Sequence, residues 1–235
     1  MAQKAIIIGA SSGIGREMAL ILAAQGWLVG ISGRRKELLE EVQAIQPDRI
    51  RCASFDAADL DRLDENLQEL VEQLGGLDLF VISAGTGSLN PALDPAPELA
   101  TVDTNVRAFT ALCDWAYARF LTSGGGSLAA ITSVGGMIGE AEAPAYAASK
   151  AYQILYLEGL RMAAKKRNPG LSVIEIRPGS VDTRMMQGEG HFWISQPVDA
   201  ARLACEAIEK KAALQYVSKR WALIGLLLRL RSLFR

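Results

Sequence analysis

The sequence predicts an α/β protein built on one doubly wound parallel sheet with helices on both faces. Three observations lead there. Short apolar runs alternate with longer segments of helical period along the whole chain, so each strand is joined to the next by a helix, and such crossovers pair strands in parallel. The 235 residues are 50% hydrophobic and 22% charged, the balance of a globular chain with a sizeable core. No repeat, low-complexity stretch or long linker divides the chain, so residues 1–218 are expected to form a single domain and residues 219–235 a tail.

Taken in order, residues 4–8 read as a strand and residues 14–25 as a helix closed by Gly26. Residues 28–32 are strand-like, residues 36–45 are helical and end near Pro47, and residues 49–54 make a third strand. Residues 60–74 carry apolar side chains at 60, 63, 67, 70, 71 and 74, the spacing of one helix face, and stop at Gly75-Gly76. A fourth strand covers 79–83. One long helix is expected over 99–121, ended by Gly124-Gly125-Gly126, followed by a fifth strand over 127–132. Residues 144–166 make a second long helix, with Pro144 suited to its first turn. A sixth strand over 172–177 is stopped by Pro178-Gly179; a helix over 197–210 and a short strand over 215–217 complete the domain.

Bulk properties narrow the function. The net charge is −1, with no basic excess to suit nucleic acid. Three widely spaced cysteines suit a reducing compartment and buried thiols better than a disulfide framework. The first apolar run is only four residues long and meets glycine at once, unlike a secretory leader. No stretch approaches the roughly 20 apolar residues of a membrane span, so a cytoplasmic protein is expected. His191 is the single histidine, and no cysteine or acidic cluster stands at ligand spacing, so no metal site is expected.

In an open sheet of this kind, ligands sit beyond the carboxyl ends of the strands. After the first strand comes Gly9-Ala10-Ser11-Ser12-Gly13-Ile14-Gly15, which opens a helix. Glycines let the backbone approach a pyrophosphate, and the helix start offers N–H groups and a positive dipole end. The spacing is Gly-x-x-x-Gly-x-Gly, and the strand before and helix after make a dinucleotide site the favoured reading. At the end of the second strand, Ser32-Gly33-Arg34-Arg35 carries no acid. An acid there would bind the free ribose hydroxyl of NAD; arginine suits the 2′-phosphate of NADP. NADP(H) is therefore expected over NAD(H), the alternative being that Arg34, Arg35 and Lys36 merely form a solvated helix start. Arg16, directly after Gly15, is a further guanidinium at this turn.

Tyr146 and Lys150 stand four apart near the start of a helix and so share a face. A free phenol has a pKa near about 10, and a nearby cation favours its ionised form, so the pair can move a proton on or off a carbonyl oxygen. Ser133 ends the fifth strand, where a hydroxyl can donate to a substrate oxygen. Asn105 lies in the helix after the fourth strand and is read either as part of this group or as a surface asparagine.

These residues resemble the short-chain dehydrogenase/reductase family over residues 4–210. The glycine turn, Asp56 after the third strand, Ser83-Ala84-Gly85, Asn105, Ser133, Tyr146, Lys150 and Pro178-Gly179 fall in family order, with Ser133 13 residues before Tyr146. The resemblance implies a Rossmann-type fold and an oxidoreductase acting on CH–OH donors, with Tyr146 as general acid or base. It implies that Lys150 binds the nicotinamide ribose and depresses the Tyr146 pKa, and that Ser133 holds the substrate oxygen. It implies that Asn105 positions a water relaying protons from Lys150. It further implies that Asp56 contacts adenine, that Ala84 and Gly85 pass close to the cofactor, and that Pro178, Gly179, Val181 and Thr183 border the nicotinamide end. Pairing through the two long helices, to a homodimer or homotetramer, is implied as well.

Two departures stand out. Ile82-Ser83-Ala84-Gly85 replaces the asparagines frequent after the family's fourth strand. The segment 184–196 is short for a substrate lid; it carries Met185, Met186, His191, Phe192 and Trp193, with Gly188 and Gly190 as hinges. It reads either as an apolar cover for an apolar substrate or as a cover for the core. In the tail, eight residues from Trp221 to Leu228 lack a polar side chain, and from 219 onward there are five positive charges and no acid. Such a helix packs on this subunit or a partner, or lies in a membrane interface. The expected activity is reduction of a small to medium apolar carbonyl; the alternative is a nucleotide-binding sensor or structural protein that keeps the fold.

Overall fold

We describe the chain from a computed structural model, which covers residues 2–186, 188 and 192–232. Seven parallel strands form one sheet: β1 (Lys4–Ile8), β2 (Leu28–Gly33), β3 (Ile50–Ser54), β4 (Leu79–Ile82), β5 (Gly126–Ile131), β6 (Leu171–Arg177) and β7 (Leu214–Tyr216). Their order across the sheet is β3-β2-β1-β4-β5-β6-β7, so the winding reverses between β1 and β4. Each strand lies within a residue or two of its expected place.

The alternation of side chains along β1 explains the two-sided core. Ala5 and Ile7 face one layer, with Met18 and Leu22 of α1 (Gly13–Ala24), Leu39 and Val42 of α2 (Lys36–Ile45), and Ala204 and Ile208 of α7 (Pro197–Glu209). Ile6 and Ile8 face the other, with Leu67 and Leu70 of α3 (Leu63–Leu74), Phe109 and Phe120 of α5 (Phe109–Ser123), and Leu157 of α6 (Pro144–Arg167). With strands apolar on both faces, each such side chain withdrawn from water contributes about 1.5–3 kcal/mol.

One element departs from expectation. Residues 99–121 are not a single α-helix. A short helix α4 (Pro95–Val102), begun by Pro95 and capped by Asp94, passes through a π-helical turn (Asp103–Ala108) into α5. Apolar periodicity runs through all three, which is why it does not reveal the wider turn. Residues 60–62 likewise stay outside α3. The tail is a helix, α8 (Lys219–Ser232). Among the described residues, no helix is long and apolar enough to cross a membrane. All three cysteines are free thiols, with Cys113 and Cys205 buried and Cys52 half-buried.

Candidate active site

The glycine turn sits at the reversal of winding. Gly9 has φ +89°, and a Cβ there would lie 2.5 Å from the Ala84 nitrogen, so the turn closes tightly on the end of β4. Gly9 and Ala10 both donate to the Ser32 carbonyl at 2.9 Å, binding the turn to β2. Ser12 precedes α1 without capping it, which leaves the first-turn N–H groups free of a side-chain acceptor. Thr183, from the loop after β6, comes close: a Cβ on Gly13 would meet its methyl at 3.3 Å. Two of the expected cofactor segments are thus brought together.

The arginines after β2 behave differently from one another. Arg35 reaches back over the turn, its Nη2 donating to Ser11 at 2.6 Å and Ser12 at 2.8 Å. Burial, then the charges of Arg184 and Arg34, pull its pKa down. Three guanidinium groups therefore share this corner, and Arg184 comes from the lid segment. Arg34 is solvated, 69% exposed, and stands 3.8 Å from Asp56, itself tied to the Ala58 nitrogen at 3.0 Å. Arg16 pairs with its neighbour Glu17.

At the other end of the site, Ser133 leaves β5 and bonds both the Gly135 N–H, at 3.0 Å, and the Tyr146 phenol. Gly87 and Gly135 abut the Tyr146 ring. The start of α6 is held by Glu98 of α4, which accepts from the Ala145 nitrogen at 2.9 Å. Lys150 Nζ lies 5.9 Å from the centre of the phenol ring, and the Lys150 side chain is buried at 4% exposure. A Cβ on Gly85 would stand 3.4 Å from Lys150 Nζ and 3.4 Å from Asn105 Oδ1, so Gly85 packs against both. Asn105 is fully buried, not a surface residue. Its amide accepts from the Thr86 N–H at 2.9 Å and donates to the Thr86 carbonyl at 2.7 Å and the Ser149 hydroxyl at 3.0 Å. It thus splints the segment where the family's asparagines are missing.

The Tyr146 pKa is raised, because burial outweighs the lowering by the Ser133 hydrogen bond. Burial brings Lys150 itself down to about 8.

The roof of this region comes from the lid and tail. A lone bridge between Val181 and Ser195 pins the lid at its base. Phe192 stacks on Trp221 with ring centres 5.1 Å apart, Trp193 meets Trp221 edge-on at 6.0 Å, and the Arg220 guanidinium lies 5.6 Å from the Trp193 ring centre. Trp221 is buried against Gly179, where a Cβ would fall inside its indole; Gly225 seats against Tyr216 in the same way. Of the two tail readings, the first turns of α8 therefore pack on this subunit. In the lid, Met185, Phe192 and Trp193 are partly exposed. His191 and Gly190 lie outside the described residues.

Sequence reasoning missed Gln153, Ser149 and Thr86, and read Trp221 only as the start of the apolar tail run. Gln153 carried a signal: a polar residue one turn beyond Lys150 on the same helix face. Ser149 and Thr86 had none, since their roles depend on partners far along the chain.

The profile of the short chain dehydrogenase family matches residues 3–192. An oxidoreductase of Mycobacterium tuberculosis is 35% identical over 192 residues, 78% of this chain and 75% of the relative. Another, from Myxococcus xanthus, is 33% identical over 189 residues, 77% of this chain and 73% of the relative. A short-chain dehydrogenase of Streptomyces avermitilis superposes with a TM-score of 0.86 over 99% of this chain and 94% of that one, at 24% identity. A 3-ketoacyl-(acyl-carrier-protein) reductase of Brucella melitensis, solved with NADH, superposes with a TM-score of 0.82 over 92% and 96%, at 21% identity. Fold and sequence together define a Rossmann-type oxidoreductase. The chain belongs to the short-chain dehydrogenase/reductase family.

Proposed function

We propose that this protein is an NADP(H)-dependent oxidoreductase that interconverts a carbonyl and an alcohol and works chiefly as a reductase of small to medium apolar carbonyls. The observation that carries the reading is the convergence of the Ser133 hydroxyl, the Tyr146 phenol and the Lys150 ammonium, with Gly85 in contact with Lys150. When bound, the dinucleotide supplies hydride to the carbonyl carbon or takes it from the alcohol carbon. Ser133 holds the substrate oxygen and Tyr146 gives it a proton, so the phenol O–H bond breaks as the alcohol O–H bond forms. Burial raises the phenol pKa, so Tyr146 enters the reaction protonated, as a donor must. The Lys150 charge then favours the phenolate left behind. Among the described residues, no group of histidine, cysteine or acidic side chains could hold a metal ion.

For the cofactor, Gly9, Ser11, Ser12, Gly13, Ile14 and Gly15 with the start of α1 would hold the pyrophosphate. Asp56 would meet the adenine, Ala84, Gly85, Asn105 and Lys150 the ribose, and Pro178, Gly179, Val181 and Thr183 the nicotinamide. The tightness of the turn at Gly9 and its uncapped helix start support that fit. The cluster of Arg34, Arg35 and Arg184, with no carboxylate at the end of β2, supports NADP(H). The test is a panel of carbonyls and alcohols followed by nicotinamide absorbance with both cofactors. NADPH should support turnover better than NADH, and Arg34→Ala should weaken NADPH far more than NADH. Equal losses would remove Arg34 from phosphate reading, and preference for NADH would reverse the cofactor assignment.

Residues 1–218 are proposed as a cytoplasmic catalytic domain and 219–235 as its tail. On α6, Leu155 and Met162 are 69% and 62% exposed on one face, which supports pairing of α5 and α6 into a homodimer or homotetramer. A second role for the tail is supported by exposed Leu223 and Leu227 on α8, in a segment with five cations and no acid, and by exposed Phe192, Trp193 and Ile194 in the lid that Trp221 contacts. That face suits a membrane surface with anionic lipid. Co-sedimentation of the full chain, but not of residues 1–218, with anionic vesicles would support it.

A further inference from the structure

Behind Lys150 the floor of the site is closed by one amide. Gln153, 1% exposed, accepts from Lys150 Nζ through its Oε1 at 2.9 Å and donates through its Nε2 to the main-chain oxygen of Asn105 at 2.9 Å. The π-helical turn accounts for that second bond, because a widened turn leaves a carbonyl without its usual intrahelical donor. A second Lys150 hydrogen goes to the Ile131 carbonyl at 3.1 Å. An ammonium has three donors, so one is left on the side of Gly85. The link expected between Asn105 and Lys150 is a relaying water; the link present is a carboxamide, which neither takes up nor releases a proton near neutral pH.

We propose that Gln153 is a positioning residue that fixes the Lys150 ammonium, joins it to the π-helical turn and ends the proton path at Lys150, so that the pair exchanges protons only on the Gly85 side. This rests on Lys150 belonging to the acid–base pair. The surroundings of Lys150 leave Gln153 in charge of its rear. Tyr146 on the same helix is the titratable group that faces it. β5 contributes the Ile131 carbonyl, the π-helical turn contributes Asn105, and the segments after β4 and β6 contribute Gly85 and Met185, none of them titratable. Burial alone accounts for the lowered Lys150 pKa.

The test uses Gln153→Met, similar in size but apolar, and Gln153→Glu, similar in shape but anionic. Lysine labelled with ¹³C at Cε and assigned with Lys150→Met reports Lys150 ionisation by NMR without turnover. Gln153→Met should move the Lys150 midpoint down by about one pH unit, a tenfold change in proton affinity, and Gln153→Glu should move it up. The alkaline limb of kcat/KM should follow both shifts while the KM for the cofactor changes less. Superimposed titrations, with only melting temperature and kcat reduced, would make Gln153 a purely structural residue and overturn the proposal. A Lys150 midpoint that follows Gln153 in a protein that turns over no carbonyl would instead overturn the reductase reading and leave the positioning role standing.

Discussion

The floor and the roof of the site are built on opposite plans. In the floor, polar side chains end on near partners: Asn105 on Thr86 and Ser149, Lys150 on Ile131 and Gln153, Tyr146 on Ser133. In the roof the contacts are aromatic faces and edges, and Trp221 Nε1 and Ser218 Oγ are buried with no hydrogen-bond partner among the described residues. Directional bonds hold atoms to the tolerance that proton transfer needs. Dispersion contacts hold a surface without dictating its register, which suits the selection of apolar ligands. Under the proposed function, the difference places proton transfer in the floor and substrate selection in the roof.

The largest effect should come from the floor. Tyr146→Phe removes its proton donor, and turnover should fall roughly 10²–10⁴-fold while dinucleotide binding, followed by cofactor fluorescence, is kept. Undiminished turnover would take Tyr146 out of the chemistry.

A second effect separates activity from stability. Reduction needs Lys150 charged, so kcat/KM should fall about tenfold per pH unit above about pH 8. The folded Lys150 pKa lies below its unfolded value, so between about 8 and 10.5 the unfolded chain binds more protons than the folded one. The Lys150 contribution to stability therefore improves as pH rises through that window, and Lys150→Met should remove it from the pH dependence of urea unfolding. Activity and this contribution changing in the same direction would contradict the buried ammonium.

The roof is tested by overpacking. Gly179→Ala would put a methyl inside the Trp221 indole and should displace the start of α8 at a cost of about 1–3 kcal/mol, seen as a lower melting temperature and a changed tryptophan spectrum. KM for apolar carbonyls should rise several-fold, with a smaller change for the cofactor. An unchanged KM would show that the roof does not select. The smallest effect belongs to Arg220→Ala, which removes a cation–π contact of roughly 0.5–1 kcal/mol and should change that KM about two- to fivefold without altering kcat.

Floor and roof also differ in how far the sequence discloses them. Tyr146, Lys150, Ser133 and the glycine turn stand out because helix spacing, strand ends and glycine pattern are local properties. Asn105 stands out as a residue but not as a fully buried splint, because burial depends on what α6 and the segment after β4 bring to it. Gln153 is visible one turn beyond Lys150, yet its second bond needs the π-helical turn, and apolar periodicity does not distinguish that turn from an α-helix. Trp221 on Gly179 joins residues 42 positions apart in sequence, and nothing local to either announces it.

By itself the sequence determined the order of strands and helices, the parallel sheet, the glycine turn and the residue types of the proposed acid–base pair, since each depends on neighbours along the chain. The tertiary structure alone decided which charges are buried, what stands behind Lys150, that Arg35 rather than Arg34 grips the glycine turn, and that the tail begins by covering Gly179. Those outcomes depend on desolvation and on contacts between distant segments, which arise only when the sheet brings its strand ends to one edge.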